Sequence, residues 1–216
     1  MAMASRQDGG FEQTDWYGKM MSEAEYHELE LLSPDRKYEC INGRAYMMSG
    51  GSIEHDLIRR NIESALARQL RSSSCRVFGT DVQVLLGKKT NGRPHYVYPD
   101  TTVSCSAVDQ RRGTLLVESP RVVVEVLSPS TEARIKFKAY QHRPTIQEIV
   151  LVNQYLPLVE VWRRNEEHAE NPNAWLARQY RAEETVELAS LNLQLAMTEI
   201  YQDLNFAEDE EDDWEE

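Results

Sequence analysis

Two carboxylates lie in apolar surroundings in this sequence. Asp100 falls within Tyr-Val-Tyr-Pro-Asp-Thr-Thr-Val, and Glu125 falls within Arg-Val-Val-Val-Glu-Val-Leu. The second run is typical of a strand covered on both faces, where ionising Glu125 costs several kcal/mol unless a cation or a hydrogen-bond donor compensates. A bound Mg²⁺ ion would compensate, because it takes carboxylate oxygens as ligands, keeps some of its waters and commonly acts on phosphates. The pair therefore indicates phosphodiester chemistry.

Both carboxylates also have purely structural interpretations. Asp100 follows Pro99, and a proline inside a strand indicates an edge or a distortion, so the aspartate could be a surface strand residue or a turn former. Glu125 could form a buried ion pair with an arginine. The sequence alone leaves these alternatives open.

A predicted helix over residues 52–70 supplies a third carboxylate. On a helical wheel, Glu54 lies near the middle of the apolar arc, which would direct it toward the sheet. The alternative is that Glu54 occupies the first helical turn, where the helix dipole favours an anion and the side chain stays solvated. A second predicted helix, 132–141, carries Lys136 and Lys138, and either lysine could reach a carboxylate pair.

Several other chemistries lack their motifs. The five histidines include no His-x-x-x-His pair and none has a nearby cysteine, so a zinc site is not expected. No phosphate-binding Gly-x-x-x-x-Gly-Lys-Ser/Thr loop, Gly-x-Gly-x-x-Gly fingerprint or Gly-x-Ser-x-Gly elbow is present, so no nucleotide cofactor is expected. Cys40, Cys75 and Cys105 are odd in number and isolated, which predicts buried free thiols.

Length and charge predict one folded domain between two flexible ends. The 216 residues fit a single domain, with a flexible N-terminus at 1–19 and the folded part at 20–206. The net charge is −12, but residues 207–216 hold eight acids and no base, which predicts a disordered acidic tail. An alternative is that the tail mimics a polyanion in a basic groove. No apolar run reaches the ~18 residues of a membrane span and no signal-peptide region is visible, so a cytoplasmic location without membrane contact is expected.

The pattern along the chain predicts a mixed α/β or α+β fold. Ser22-x-x-Glu25 reads as a capping box that opens a helix ending near Leu32, and Asn42-Gly43 is the dipeptide favoured in a tight β-hairpin turn. Further strands are predicted at 75–79, 81–86, 96–103, 121–127, 148–153, 157–163 and 175–181, and a strand with a helical turn within 191–204. This order predicts a sheet flanked by helices, with an N-terminal helix and β-hairpin.

Five segments of the chain, in this order, resemble the Uma2 family of the PD-(D/E)XK nuclease superfamily. They are Tyr38-Glu-Cys-Ile-Asn-Gly-Arg44, Glu54-His55, Tyr98-Pro-Asp100, Val123-Val-Glu-Val-Leu-Ser-Pro-Ser-Thr131 and Lys136-Phe-Lys-Ala-Tyr140. The resemblance covers roughly residues 20–204. It implies a restriction-endonuclease-like mixed β-sheet core flanked by helices, and a metal-dependent endonuclease that hydrolyses DNA.

The resemblance also assigns roles to residues. Asp100 and Glu125 match the two acidic positions of the superfamily and, with the backbone carbonyl of Val126, would hold Mg²⁺ or Mn²⁺, while Glu54 would add a carboxylate. Leu127 stands where the superfamily usually has a lysine, so a lysine of the following helix, Lys136 or alternatively Lys138, is expected to serve.

DNA is the implied partner, and cutting both strands would suit a homodimer. Basic residues that could contact DNA are Arg59, Arg60, Lys88, Lys89, Arg93 and Lys138. Two alternatives remain at this stage. The chain could be a catalytically inactive DNA-binding or regulatory protein with the same fold, or an interaction protein in which the carboxylates merely pair with arginines.

Overall fold

A computed structural model describes residues 18–48, 50–88, 93–127, 132–165, 167, 171 and 174–206. The helices in these ranges are α1 (Glu23–Leu32), α2 (Ile53–Gln69), α3 (Glu132–Gln141) and α4 (Met197–Ile200). The strands are β1 (Tyr38–Ile41), β2 (Arg44–Met47), β3 (Arg76–Gly79), β4 (Gln83–Lys88), β5 (Pro94–Val97), β6 (Thr101–Ser104), β7 (Leu116–Val117), β8 (Pro120–Leu127), β9 (Glu148–Asn153), β10 (Leu158–Arg164), β11 (Trp175–Arg181), β12 (Thr185–Leu188) and β13 (Leu193–Ala196). No helix within these ranges is long and apolar enough to cross a membrane.

The larger sheet has the strand order β11-β10-β9-β8-β6-β3 and is mixed. β8 and β9 are parallel, with Glu125 opposite Leu151, and α3 forms the crossover that parallel neighbours require. Six of the eight residues of β8 are buried, so the predicted strand covered on both faces is confirmed. Side chains of α2, among them Ile58, Ile62 and Leu66, pack against one face of this sheet.

The smaller five-stranded sheet has the order β2-β1-β5-β4-β7 and carries the predicted N-terminal hairpin. Asn42 and Gly43 form the turn with φ values of 56° and 74°, a left-handed conformation that this dipeptide adopts easily. The predicted capping box of Ser22 and Glu25 is present at the start of α1. A core cluster that includes Ile41 of the hairpin, Val123 of β8 and Tyr140 of α3 joins the two sheets.

The segment 96–103, predicted as one strand, is instead divided between the two sheets. β5 pairs with β1 and β4 in the smaller sheet, whereas β6 pairs with β3 and β8 in the larger one. The break falls at Tyr98–Asp100, where Pro99 has no N–H to donate to a ladder. Asp100 therefore lies where the chain crosses from one sheet to the other. The short strands β7 and β12 were not predicted either.

The sequence predicts a flexible N-terminus over residues 1–19 and a disordered acidic tail over residues 207–216. Gly18 and Lys19, placed in the flexible N-terminus, are hydrogen-bonded to β2 through Ala45. Residues 1–17 and the tail 207–216 lie outside the described residues.

The prediction of three free thiols is wrong, because Cys75 and Cys105 form a disulfide. Cys75 directly precedes Arg76 and Cys105 directly follows Ser104, and because Arg76 pairs with Ser104 the two cysteines lie opposite each other at one end of the antiparallel β3–β6 ladder. Cys40 is free and buried. Sequence spacing gave no signal for the pair, since 30 residues separate its members and only strand pairing brings them together.

We expect the disulfide to be measurable by thiol titration of the denatured protein. Before reduction one thiol per chain should react, that of Cys40, and after reduction all three should react. The double variant C75S/C105S should lower the free energy of unfolding by roughly 2–4 kcal/mol, because the bridge restricts the unfolded chain. Three reactive thiols before reduction would contradict the assignment.

Candidate active site

Glu125 occupies the C-terminal half of β8 and is almost fully buried, with 6 % of its surface exposed. Its Oε1 atom accepts hydrogen bonds from two side chains of α3: the Nζ atom of Lys136 at 2.8 Å and the hydroxyl of Tyr140. Lys136 and Tyr140 are four residues apart, which places both on one face of the helix. The crossover helix therefore delivers both donors to the strand that it follows.

Lys136 is shared with a second buried carboxylate. Its Nζ atom lies 3.0 Å from Oε1 of Glu39, a residue of β1 that is 2 % exposed. The same Oε1 atom accepts a hydrogen bond from the backbone N–H of Tyr98 at 2.8 Å. A single ammonium thus joins the two sheets and α3.

Asp100 completes the end of the β6–β8 ladder with its side chain. The last β6–β8 pair on this side is Thr101 with Val124, and continuing it would place Val126 opposite Pro99. Because the chain turns away at Pro99, the Val126 N–H donates instead to Oδ2 of Asp100, at 2.7 Å. Nε2 of His55, in the first turns of α2, lies 3.3 Å from the same oxygen.

Burial and charge shift the pKa values of this cluster. Burial raises the pKa of Glu125 to about 7, against the opposing effect of the Lys136 ammonium. Burial alone would lower the pKa of Lys136, but the carboxylates of Glu125 and Glu39 outweigh it and raise that pKa. One ammonium faces two buried carboxylates. The carboxylates stabilise the protonated form of Lys136, whereas one excess negative charge in the buried cluster raises the free energy of the folded state.

His55 and Tyr140 also show shifted pKa values. The hydrogen bond to Asp100 raises the pKa of His55, which favours an imidazolium beside the carboxylate. Burial raises the pKa of Tyr140, and the neighbouring Glu125 raises it further. Tyr140 therefore stays a neutral hydrogen-bond donor.

The carboxylates retain oxygens suited to a hard cation. The described bonds of Asp100 all reach Oδ2 and those of Glu125 all reach Oε1, which leaves Oδ1 and Oε2 without a hydrogen bond from the described residues. Both side chains keep a small exposed fraction, 13 % and 9 %. No group of three or more His, Cys, Asp or Glu side chains in the described ranges could hold a metal. The remaining ligands of an ion would have to be carbonyl, water or substrate oxygens, which suits Mg²⁺.

A family model described as "Uma2: Putative restriction endonuclease" matches residues 23–198. The chain belongs to the Uma2 family. The match spans the five-stranded and six-stranded sheets and includes Glu39, His55, Asp100, Glu125 and Lys136.

Two curated relatives and one solved structure are similar to this Uma2 protein. "Uncharacterized protein slr1290" of Synechocystis sp. is 32% identical over 189 residues, covering 86% of this chain and 94% of that protein. "Uncharacterized protein sll1609" of the same strain is 25% identical over 150 residues, covering 68% and 82%. The crystal structure of "a putative nuclease belonging to DUF820" from Anabaena variabilis ATCC 29413 has a TM-score of 0.60 and 18% identity, covering 76% of this chain and 89% of that chain. That likeness shows a common fold, and the mixed α/β prediction is confirmed.

The structure brings three of the four predicted catalytic residues together: Asp100, Glu125 and Lys136. Lys138 is exposed on α3, so of the two candidate lysines it is Lys136 that reaches the carboxylates. Glu54 is exposed in the first turn of α2 beside Ser52, and its pKa is lowered by hydrogen bonds there. This arrangement matches the alternative interpretation of Glu54 as an anion at a helix N-terminus, and no described contact joins it to the cluster.

Three residues of the cluster were not predicted as site residues: Glu39, His55 and Tyr140. Glu39 did carry a signal, since a glutamate inside Tyr-Glu-Cys-Ile resembles Glu125 inside its valine run. His55 lay beside Glu54 in one of the segments that carry the family resemblance. However, Asp100, the partner of His55, is 45 positions away in the sequence, and Lys136, the partner of Glu39, is 97 positions away. Only the fold reveals these pairs.

Replacing Lys136 by methionine should destabilise the protein by about 3–5 kcal/mol, because two buried carboxylates lose their shared cation. Without the cation the pKa of folded Glu125 should rise further above its unfolded value, so the folded variant binds more protons and loses stability as pH increases. The deficit should therefore be smaller near pH 5 than near pH 8. Urea unfolding of both proteins measures it.

Lys138→Met is the matched control, since it changes an exposed lysine on the same helix and should stay within about 0.5 kcal/mol of wild type. Equal stability of K136M and wild type at pH 8 would contradict the buried pairing.

Proposed function

We propose that this Uma2 protein is a metal-dependent endonuclease that hydrolyses DNA phosphodiester bonds. The observation that carries the proposal is the convergence of Asp100, Glu125 and Lys136 at one end of β8, from three separate parts of the chain. An acidic pair with an adjacent ammonium can bind a divalent cation and offset the charge of a reacting phosphate. The family description and the fold shared with the structure of "a putative nuclease belonging to DUF820" support this choice.

Asp100, Glu125 and the carbonyl of Val126 would hold Mg²⁺ or Mn²⁺. When bound, the ion would polarise the phosphate and lower the pKa of a water molecule. The chain contributes preorganised ligands. The Val126 N–H and His55 both hold Oδ2 of Asp100, so the direction of Oδ1 is fixed. Tyr140 and Lys136 both hold Oε1 of Glu125, so the direction of Oε2 is fixed in the same way.

Lys136 would act as a cation rather than as a base. Its pKa is raised by the two carboxylates, so it keeps its proton at neutral pH. A protonated lysine beside the phosphate stabilises the extra negative charge of the pentavalent phosphorane and can orient the attacking water by donating a hydrogen bond. It cannot accept the proton of that water.

The predicted DNA contacts differ in their availability. Arg59 is largely buried and bound to Asp56 and Glu63 of its own helix, so it is a weak candidate. Arg60, with 64 % of its side chain exposed, Arg93 and Lys138 lie at the surface, and we propose these as contacts. The Lys88 side chain and Lys89 lie outside the described residues.

Plasmid cleavage tests the proposal. With Mg²⁺ or Mn²⁺, wild type should convert supercoiled plasmid to nicked and linear forms, and chelation should stop the reaction. Asp100→Asn and Glu125→Gln keep the shape of the side chains but remove charge, so each should slow cleavage by about 100-fold or more. Glu54→Gln should have a much smaller effect, because Glu54 lies apart from the cluster.

The outcomes separate the alternatives. Equal cleavage by wild type, D100N and E125Q would mean that the assigned site is wrong. A protein that shifts DNA in a gel without metal and never cuts would be the inactive DNA-binding protein. Predominantly linear product from first cleavage events would support the proposed homodimer, which sedimentation measures directly.

A further inference from the structure

Glu39 is one of the three residues of the cluster that were not predicted as site residues. It lies on β1, in the N-terminal hairpin, and its side chain is 3 % exposed. Its described partners are the Nζ atom of Lys136 and the backbone N–H of Tyr98. Both partners belong to segments that carry proposed catalytic residues, since Tyr98 is two positions before Asp100.

We infer that Glu39 is a positioning residue that holds Lys136 and the Tyr98–Asp100 segment in register for the reaction. The inference rests on the proposed nuclease function and extends it to the N-terminal hairpin. A lysine side chain has four rotatable bonds, and a single contact to Glu125 would leave its ammonium free to swing around that carboxylate. The second contact, to Glu39, fixes the ammonium between two oxygens.

The Tyr98 contact has a separate consequence. At this point the chain leaves the smaller sheet and enters the larger one, and no ladder partner holds the crossing residues. Tyr98 is fixed at both ends, because its N–H donates to Glu39 and its hydroxyl donates to Glu30 of α1 at 2.8 Å. The contacts of Tyr98 with Glu39 of the smaller sheet and with Glu30 of α1 therefore help to fix the backbone direction at Asp100.

Glu148 provides a comparison that separates positioning from burial alone. It is fully buried in β9, three positions along the β8–β9 ladder from the partner of Glu125. Arg163 and the N–H and hydroxyl groups of residues 189 and 190 bind its carboxylate. No described contact joins it to the cluster. Glu39 and Glu148 are thus both buried and paired with a cation, but only Glu39 touches the candidate site.

The test compares Glu39→Gln with Glu148→Gln in the full-length protein. Glutamine keeps an oxygen that can accept the Tyr98 N–H but loses the charge that holds Lys136. E39Q should lower kcat for plasmid nicking by about 10–100-fold with KM changed less than about 3-fold, as expected for a residue that orients a catalytic group. E148Q should reduce stability to a comparable degree and leave kcat of the folded protein close to wild type.

A double-variant cycle shows whether Glu39 acts through Lys136. If it does, E39Q/K136M should cut no more slowly than K136M alone, because the residue to be positioned is already gone. Urea unfolding of the same four proteins provides a readout independent of cleavage, in which the two substitutions should be strongly non-additive. The inference would be overturned if the E39Q substitution lowered kcat by the same factor in K136M as it does in wild type.

The two proposals fail in different ways. If wild type cuts DNA and E39Q cuts at the wild-type rate, the positioning role is wrong and the nuclease proposal stands. If E39Q and E148Q lose kcat equally, Glu39 matters only through folding and the inference is again wrong. If wild type cuts no DNA with Mg²⁺ or Mn²⁺, the nuclease proposal fails and the role of Glu39 fails with it, even where the stability cycle shows coupling.

Discussion

The site depends on one buried ammonium that faces two buried carboxylates. Lys136, Glu39 and Glu125 come from α3, β1 and β8, and each is at least nine-tenths buried. Desolvating three charges is costly, and their mutual contacts offset that cost together with the hydrogen bonds that Tyr140 and Tyr98 donate to the two carboxylates. The two sheets and the crossover helix must therefore meet in a single arrangement, and any displacement of one element leaves a charge unpaired in the core.

The same constraint gives the site its chemical character. A surplus of negative charge is retained at a position that remains slightly accessible, and folding alone does not require such a surplus. A divalent cation would relieve that surplus. The lysine and the ion would then both neutralise the carboxylates. The lysine is already held in place before the ion binds, and the ion would keep some of its water ligands.

Local sequence signals identified most elements correctly, and the failures were those that depend on distant partners. The capping box of α1 and the Asn42-Gly43 turn are determined by adjacent residues, so they were readable in advance. Pro99 indicated a distortion within 96–103, but the division was missed because the sheet that each half joins depends on distant pairing partners. The Cys75–Cys105 bridge and the role of Glu39 were missed for the same reason.

Asp100 has a consequence for how relatives with altered chemistry should be interpreted. Its carboxylate accepts the N–H that the ladder leaves unpaired at Val126, so the residue supports the strand as well as the candidate site. A lineage that abandoned catalysis would still be under selection to keep an acceptor there, and asparagine would suffice. Asparagine at this position would therefore keep the strand end intact while removing the charge that the proposed reaction needs, so an exchange of aspartate for asparagine in a relative would mark loss of the reaction without loss of the fold.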